Sequence, residues 1–118
     1  MADDFDVIIV GGGGAGLSAA IEATRAGASC MILEADTRMG GATAASAGVF
    51  YAAGSSVQKA RGISYSADAM FEYVMAINQW ALKPDIIRHI CDESGPTIDW
   101  LIDLGVKFPP EYLVCSGV

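Results

Sequence analysis

Short apolar runs alternate with glycine-rich breaks in the first third of the chain, and a helical rhythm takes over in the second half. Asp6-Val7-Ile8-Ile9-Val10 is a compact β-branched run closed by Gly11-Gly12-Gly13-Gly14-Ala15-Gly16, which predicts a strand and then a tight turn. Leu17 to Ala26 reads as a helix ended by Gly27. Ser29 to Leu33 reads as a second strand with Glu34 at its tip. Further on, Ser66 is placed to cap a helix from about Ala67 to Trp80, with Asp68 in its first turn and Met70, Val74, Ile77 and Ala81 as its apolar stripe. Pro84 suits the first turn of another helix with Ile86, Ile87, Ile90 and Cys91 inward. Gly95-Pro96 is expected to break that helix. A third helix is expected from Pro96 to Leu104, closed by Gly105, and Pro109-Pro110 should start an extended tail. No internal repeat, charge block or low-complexity linker interrupts the pattern. The expected fold is therefore α/β, a Rossmann-like βαβ unit and then a helical segment.

The glycine turn carries the candidate chemistry. Strand, glycines, helix, second strand and acid fall in the register of a dinucleotide-binding fingerprint. Gly11 permits the tight turn out of the strand, Gly13 leaves room for a pyrophosphate to approach the backbone, and Gly16 lets the helix pack closely on the strand. The helix N-terminus offers unpaired N–H groups and the positive end of a dipole. Glu34, 18 positions after Gly16, can accept hydrogen bonds from a ribose 2′-OH, each on the order of 1.5–3 kcal/mol. The acid disfavours a 2′-phosphate, so FAD or NAD fits better than NADP. Taken without its context, the glycine run could equally be a flexible loop.

The residues after Glu34 separate FAD from NAD. Arg38-Met39-Gly40-Gly41-Ala42-Thr43 and then Ala44-Ala45-Ser46-Ala47-Gly48-Val49 replace the helix and strand that a plain NAD domain would supply. A second Gly-Gly with small and hydroxylic neighbours lets backbone run against an extended ligand, as the flavin end of FAD requires. A ligand-free loop rich in Gly, Ala and Ser is the other reading of the same residues.

Composition narrows the classes. A chain of 118 residues is one domain at most, and its 53% hydrophobic content fits a piece of a larger core or a subunit that buries apolar surface against a partner. The net charge of −7 argues against nucleic acid. No apolar run reaches a membrane span, and the start Met1-Ala2-Asp3-Asp4-Phe5-Asp6 lacks the basic region of a signal peptide. Cys30, Cys91 and Cys115 show no metal or CxxC spacing and read as reduced thiols of a cytoplasmic protein, Cys30 and Cys91 as packing residues. His89, flanked by Arg88 and Asp92, reads as a surface residue, and Met70, Phe71, Tyr73 and Met75 as core packing rather than a ligand box. No metal ligand set is expected.

Residues Asp6 to Glu34, together with Gly40-Gly41-Ala42-Thr43-Ala44-Ala45-Ser46-Ala47-Gly48, resemble the flavoprotein family of fumarate reductase and succinate dehydrogenase. Gly48-Val49-Phe50-Tyr51, Val57-Gln58-Lys59-Ala60, Thr97-Ile98-Asp99-Trp100-Leu101 and Leu104-Gly105-Val106 are similar to its 3-ketosteroid Δ4-(5α)-dehydrogenase branch. The resemblance implies that 1–118 is the N-terminal part of an FAD-binding domain, with the βαβ unit and flavin-side loop in 1–58 and a mainly helical segment in 59–118. It implies FAD held by Gly11, Gly13, Ala15, Gly16, Glu34, Ala35, Gly40, Gly41, Ala42, Thr43, Ala47 and Gly48. It also implies hydride transfer at a carbon–carbon bond beside a carbonyl, with a steroid as substrate. A fumarate- or urocanate-type reductase, or a catalytically silent FAD-binding subunit, is the alternative. The family's catalytic residues come later than this segment, so none is expected here. Ala47-Gly48 stands where the family often has Gly-Gly, a mild departure provided that Ala47 keeps a negative φ.

Overall fold

The computed structural model describes residues 4–114; the start Met1-Ala2-Asp3 and Cys115 lie outside them. The chain forms two compact units that divide between Phe50 and Tyr51.

The first unit contains strand β1 (Val7–Val10), helix α1 (Gly14–Arg25), strand β2 (Cys30–Leu33) and a short helix α2 (Gly41–Ala45). β1 and β2 pair in parallel with Val7 opposite Cys30 and Val10 opposite Leu33. Ile9 faces α1, because its Cγ2 lies 3.3 Å from where a Cβ on Gly16 would be. The alternate residues Ile8 and Val10 are 60% and 84% exposed, and Leu33 of β2 is exposed beside them. Parallel sheets are ordinarily covered on both faces; here, among the described residues, one face is open. α1 stops where expected: Gly27 takes φ +89, and the amides of Gly27 and Ala28 bond back to the Thr24 and Ala23 carbonyls. At the entry to β1, the Asp6 carboxylate accepts from the Ser29 amide (2.8 Å) and hydroxyl (2.7 Å), clamping the two strand starts together. These bonds hold the Asp6 carboxyl below its usual range.

The second unit is helical: α3 (Ser56–Ala60), α4 (Ala67–Ile77), α5 (Pro84–Asp103) and a 3-10 turn at Pro110–Tyr112. Ser66 caps α4 as expected, its hydroxyl accepting from the Ala69 amide at 3.1 Å. α4 ends at Ile77 rather than Trp80. The Asn78 side chain donates to the Val74 carbonyl, and Gln79 and Trp80 turn left-handed at φ +52 and +59. Its buried residues are Met70 and Met75, whereas Ile77 and Ala81 of the expected stripe are exposed, Ala81 lying past the helix end.

The expected break at Gly95-Pro96 does not occur. α5 runs through it as one helix of 20 residues, with Gly95 and Ile98 buried on one face. Contacts on either side of the pair hold it. The Ser94 hydroxyl accepts from the Ala53 amide (3.0 Å) and donates to the Cys91 carbonyl (2.8 Å), while the Asp99 carboxylate accepts from the Ser56 amide (2.9 Å). Gly95 is needed because a Cβ there would be driven into the Ala53 carbonyl oxygen. Ile87 and Cys91 face inward, but Ile86 and Ile90 are exposed, contrary to expectation. The tail after Pro109 opens with the 3-10 turn instead of extended chain. α3 is an element that periodicity does not predict, although Ser55 and Gln58 form a full capping box at its start.

Candidate functional site

The first unit brings the glycine turn, Glu34 and the Gly40–Gly48 segment together. β1 delivers the chain into Gly11, whose φ of +100 lies in the region that favours glycine. The Gly11 amide still bonds the Leu33 carbonyl at 2.7 Å, so the ladder runs one residue past the strand. The next amide, that of buried Gly12, donates to Glu34 Oε2 at 2.6 Å, and the Gly12 carbonyl accepts from the Gly40 amide at 2.8 Å. Gly13, in extended backbone, is the N-cap of α1 and forms a parallel bridge with Gly40.

α1 has no side-chain cap and no acid in its first turn. Its first amide, at Gly14, donates to Thr43 Oγ1 at 3.2 Å. The Ala15 and Gly16 amides, second and third in the helix, have no acceptor within it by geometry. The side of Gly13 is open: a Cβ there would find its nearest neighbour, the Gly40 carbonyl oxygen, 4.0 Å away. An unobstructed backbone beside helix N–H groups fits a diphosphate. Gly16 is the opposite case. A Cβ there would be driven into the Gly11 carbonyl oxygen, so glycine is required for α1 to lie against β1.

Gly12 and Gly14 have structural roles that the fingerprint spacing does not assign. A Cβ on Gly12 would meet Glu34 Oε2 at 3.0 Å, and one on Gly14 would meet Thr43 Oγ1 at 2.6 Å. The Gly40-Gly41 pair has a role inside the protein besides any toward a ligand. Gly40 takes φ +119 and Gly41 +50, and a Cβ on Gly41 would touch Gly13 Cα at 3.6 Å. Backbone therefore packs on backbone here. Ala42 and Thr43 sit in α2 rather than in a loop, and both are exposed, as are Ala15 and Ala35. The condition placed on Ala47 fails: its φ is +59, and that of Gly48 is +71. An alanine in this region costs about 1–2 kcal/mol relative to the right-handed form.

The Glu34 carboxylate is half-buried, with Oε1 accepting from the Asp36 amide at 2.9 Å opposite the Gly12 bond. The Asp36 and Gly12 bonds hold its carboxyl below the usual glutamate range. Two bonds leave acceptor capacity for a further hydroxyl. In the second unit, Cys91 is buried and its thiol is pushed up by that burial, an environment for packing rather than nucleophilic attack. Cys30 is half-buried in β2 and His89 is exposed. Tyr51 is exposed, while burial raises the Tyr65 phenol. Arg88 lies 5.0 Å over the Phe71 ring and pairs with Asp68 and Asp92. No cluster able to hold a metal occurs among the described residues, and no helix among them is long and apolar enough to cross a membrane.

Comparison with known proteins matches residues 6–114 to a family described as FAD binding domain. The chain is 38% identical over 103 residues to a fumarate reductase (cytochrome) of Shewanella frigidimarina, covering 87% of this chain and 18% of that protein. It is 36% identical over 115 residues to a vinyl phenol reductase of Lactiplantibacillus plantarum, covering 98% of this chain and 23% of that one. Among solved structures it is similar to 3-ketosteroid-Δ4-(5α)-dehydrogenase from Rhodococcus jostii RHA1 in complex with 4-androstene-3,17-dione. That likeness has a TM-score of 0.75 and 39% identity, over 90% of this chain and 22% of that structure. The chain thus spans about a fifth of the length of these relatives.

Proposed function

The chain belongs to the FAD binding domain family, and from that premise we propose that it is the N-terminal part of a flavin-dependent oxidoreductase acting on CH–CH bonds, with a 3-ketosteroid as substrate. The observation that carries the FAD site is the glycine turn: open beside Gly13, which as N-cap offers no side chain, and presenting the Ala15 and Gly16 amides beyond the one taken by Thr43. In this reading Gly11, Gly13, Ala15 and Gly16 receive the diphosphate, and Glu34 and Ala35 border the adenosine ribose. Gly40, Gly41, Ala42, Thr43, Ala47 and Gly48 line the path toward the flavin. FAD, when bound, supplies the hydride acceptor or donor; the chain's own contribution is to bind and orient it. Residues 1–58 carry these contacts, and 59–118 form the helical segment after them. The exposed face of β1, at Ile8 and Val10, supports the reading of a piece whose core continues in further chain.

The steroid assignment rests on the 39% identity to the dehydrogenase structure. The fumarate reductase at 38% identity supports a reductase of that type as the second reading. No residue of this segment is assigned a catalytic role. Stopped-flow mixing of the FAD-loaded full-length protein with a 3-ketosteroid, and separately of its reduced form with fumarate, tests the choice. Rapid flavin bleaching by the steroid is expected. Steroid-insensitive flavin whose reduced form is reoxidised by fumarate would select the second reading.

A further inference from the structure

We infer that Glu34 is a positioning residue for the glycine turn, holding its shape through bonds within the chain, in addition to the ribose contact proposed above. The functional consequence rests on that FAD-site reading; the geometry is formed by the chain's own groups. Three consecutive bonds carry it. The Gly11 amide is held by a backbone carbonyl, that of Leu33, as in any ladder. At Gly12 the backbone acceptor gives way to a side chain, Glu34 Oε2, at 2.6 Å. The Gly12 carbonyl is then taken by the Gly40 amide. Glu34 thus extends the sheet by one rung where the chain must leave it, and places Gly12 between β2 and the Gly40 segment. A buried amide without an acceptor is disfavoured, so the carboxylate decides whether Gly12 can stay where it is.

The second oxygen fixes the first. Oε1 accepts from the Asp36 amide, so the carboxylate is held from two sides and its orientation is settled within the fold. A Cβ on Gly12 would lie 3.0 Å from Oε2 and 3.1 Å from Met39 Cγ, so a side chain there would press on the carboxylate, at a position with no positive φ to demand glycine. With the carboxylate fixed in advance, a ribose hydroxyl meets an acceptor that loses little further side-chain freedom on binding. Glu34 therefore has two separable effects: shaping the turn, and accepting from ligand.

Amide hydrogen exchange of the ligand-free chain, read residue by residue, tests the first effect. In Glu34→Ala the Gly12 amide should exchange at least tenfold faster, while the Val7 amide (bonded to Ser29) and the Leu17 amide (bonded to Gly13) keep their rates within about twofold. Glu34→Gln offers one acceptor oxygen and one NH2 group, so one of the Gly12 and Asp36 amides should keep its protection and the other lose it. An unchanged Gly12 rate in Glu34→Ala overturns the proposal. So does uniform acceleration of Val7, Gly12 and Leu17, which would make Glu34 an ordinary fold contact. A separate FAD titration of the unsubstituted chain distinguishes the underlying reading: absence of binding there removes the FAD site and leaves the exchange result to decide the role of Glu34.

Discussion

At Gly16 a side chain would collide with the Gly11 carbonyl, whereas at Gly13 it would enter open space. Two glycines three positions apart therefore fail differently. Gly16→Ala should lower the stability of the first unit by about 1–3 kcal/mol, the usual cost of overpacking, visible as a reduced urea midpoint. Gly13→Val, at an extended backbone position with φ −76 that valine tolerates, should leave the fold intact and abolish FAD binding. Ala47→Gly should stabilise. It removes about 1–2 kcal/mol of left-handed strain and adds about 0.5–1 kcal/mol of backbone entropy cost, for a net gain of up to about 1.5 kcal/mol in the same denaturation experiment. The conformational jobs of Gly11 and Gly16 are legible in the sequence because strand, turn and helix are contiguous. Those of Gly12 and Gly14 are not, because Glu34 and Thr43, the groups that crowd them, stand 22 and 29 positions downstream. The sign of φ at Ala47 is illegible for a related reason: it depends on how α2 ends, and the small residues of α2 carry a loop-like composition.

Among the elements, α5 shows where local rules yield. Gly95-Pro96 is a breaking signal by propensity, yet the helix continues because Ser94 and Asp99 tie it to the Ala53–Ser56 segment. Propensity and packing make opposite predictions at this pair. In the helix interior Pro96 lacks an N–H and crowds the carbonyl four residues back, so Pro96→Ala should stabilise the second unit by about 1–3 kcal/mol. Gly95→Ala, which propensity alone would score as favourable by about 1 kcal/mol, should destabilise instead, since the new methyl would strike the Ala53 carbonyl. Thermal melts of the two variants check both signs; a stabilised Gly95→Ala would show that the contact with Ala53 is not close. The α4 cap at Ser66 is readable from adjacent residues. The Ser55–Gln58 capping box is equally local but is obscured by the glycine- and serine-rich stretch around it. Which isoleucines of α5 face inward is not readable, because a helix that ends at Gly95 and one that runs to Asp103 present different faces for burial.

Over the whole molecule, two features arise from the open face of the sheet and an acidic sequence. The exposed Ile8 and Val10 leave an apolar face that favours association, so Val10→Thr should lower light scattering of concentrated solutions without altering the circular dichroism. Acid should weaken the fold. Asp6, Glu34 and Asp99 are all held below their usual carboxyl ranges by hydrogen bonds, so each favours the folded state above its ordinary pKa. That contribution fades as pH falls through the lowered folded values, and a chemical-denaturation midpoint tracked from neutral pH to below the carboxylate range should decline accordingly. The outline of the fold, a βαβ unit and then helices, is legible from periodicity and glycine placement; the division into two units between Phe50 and Tyr51 is not, since no linker-like composition marks it.

If the turn from Gly11 to Gly16 receives the diphosphate of FAD, filling the open side of Gly13 must block binding while leaving the fold alone. The most direct test is an equilibrium titration of the chain with FAD monitored by flavin fluorescence, run in parallel with Gly13→Val and with NADP as competitor. Saturable binding by the parent, none by Gly13→Val at unchanged circular dichroism, and no displacement by NADP is the expected result. Equal FAD affinity in parent and Gly13→Val, or NADP competing as well as FAD itself, would contradict it.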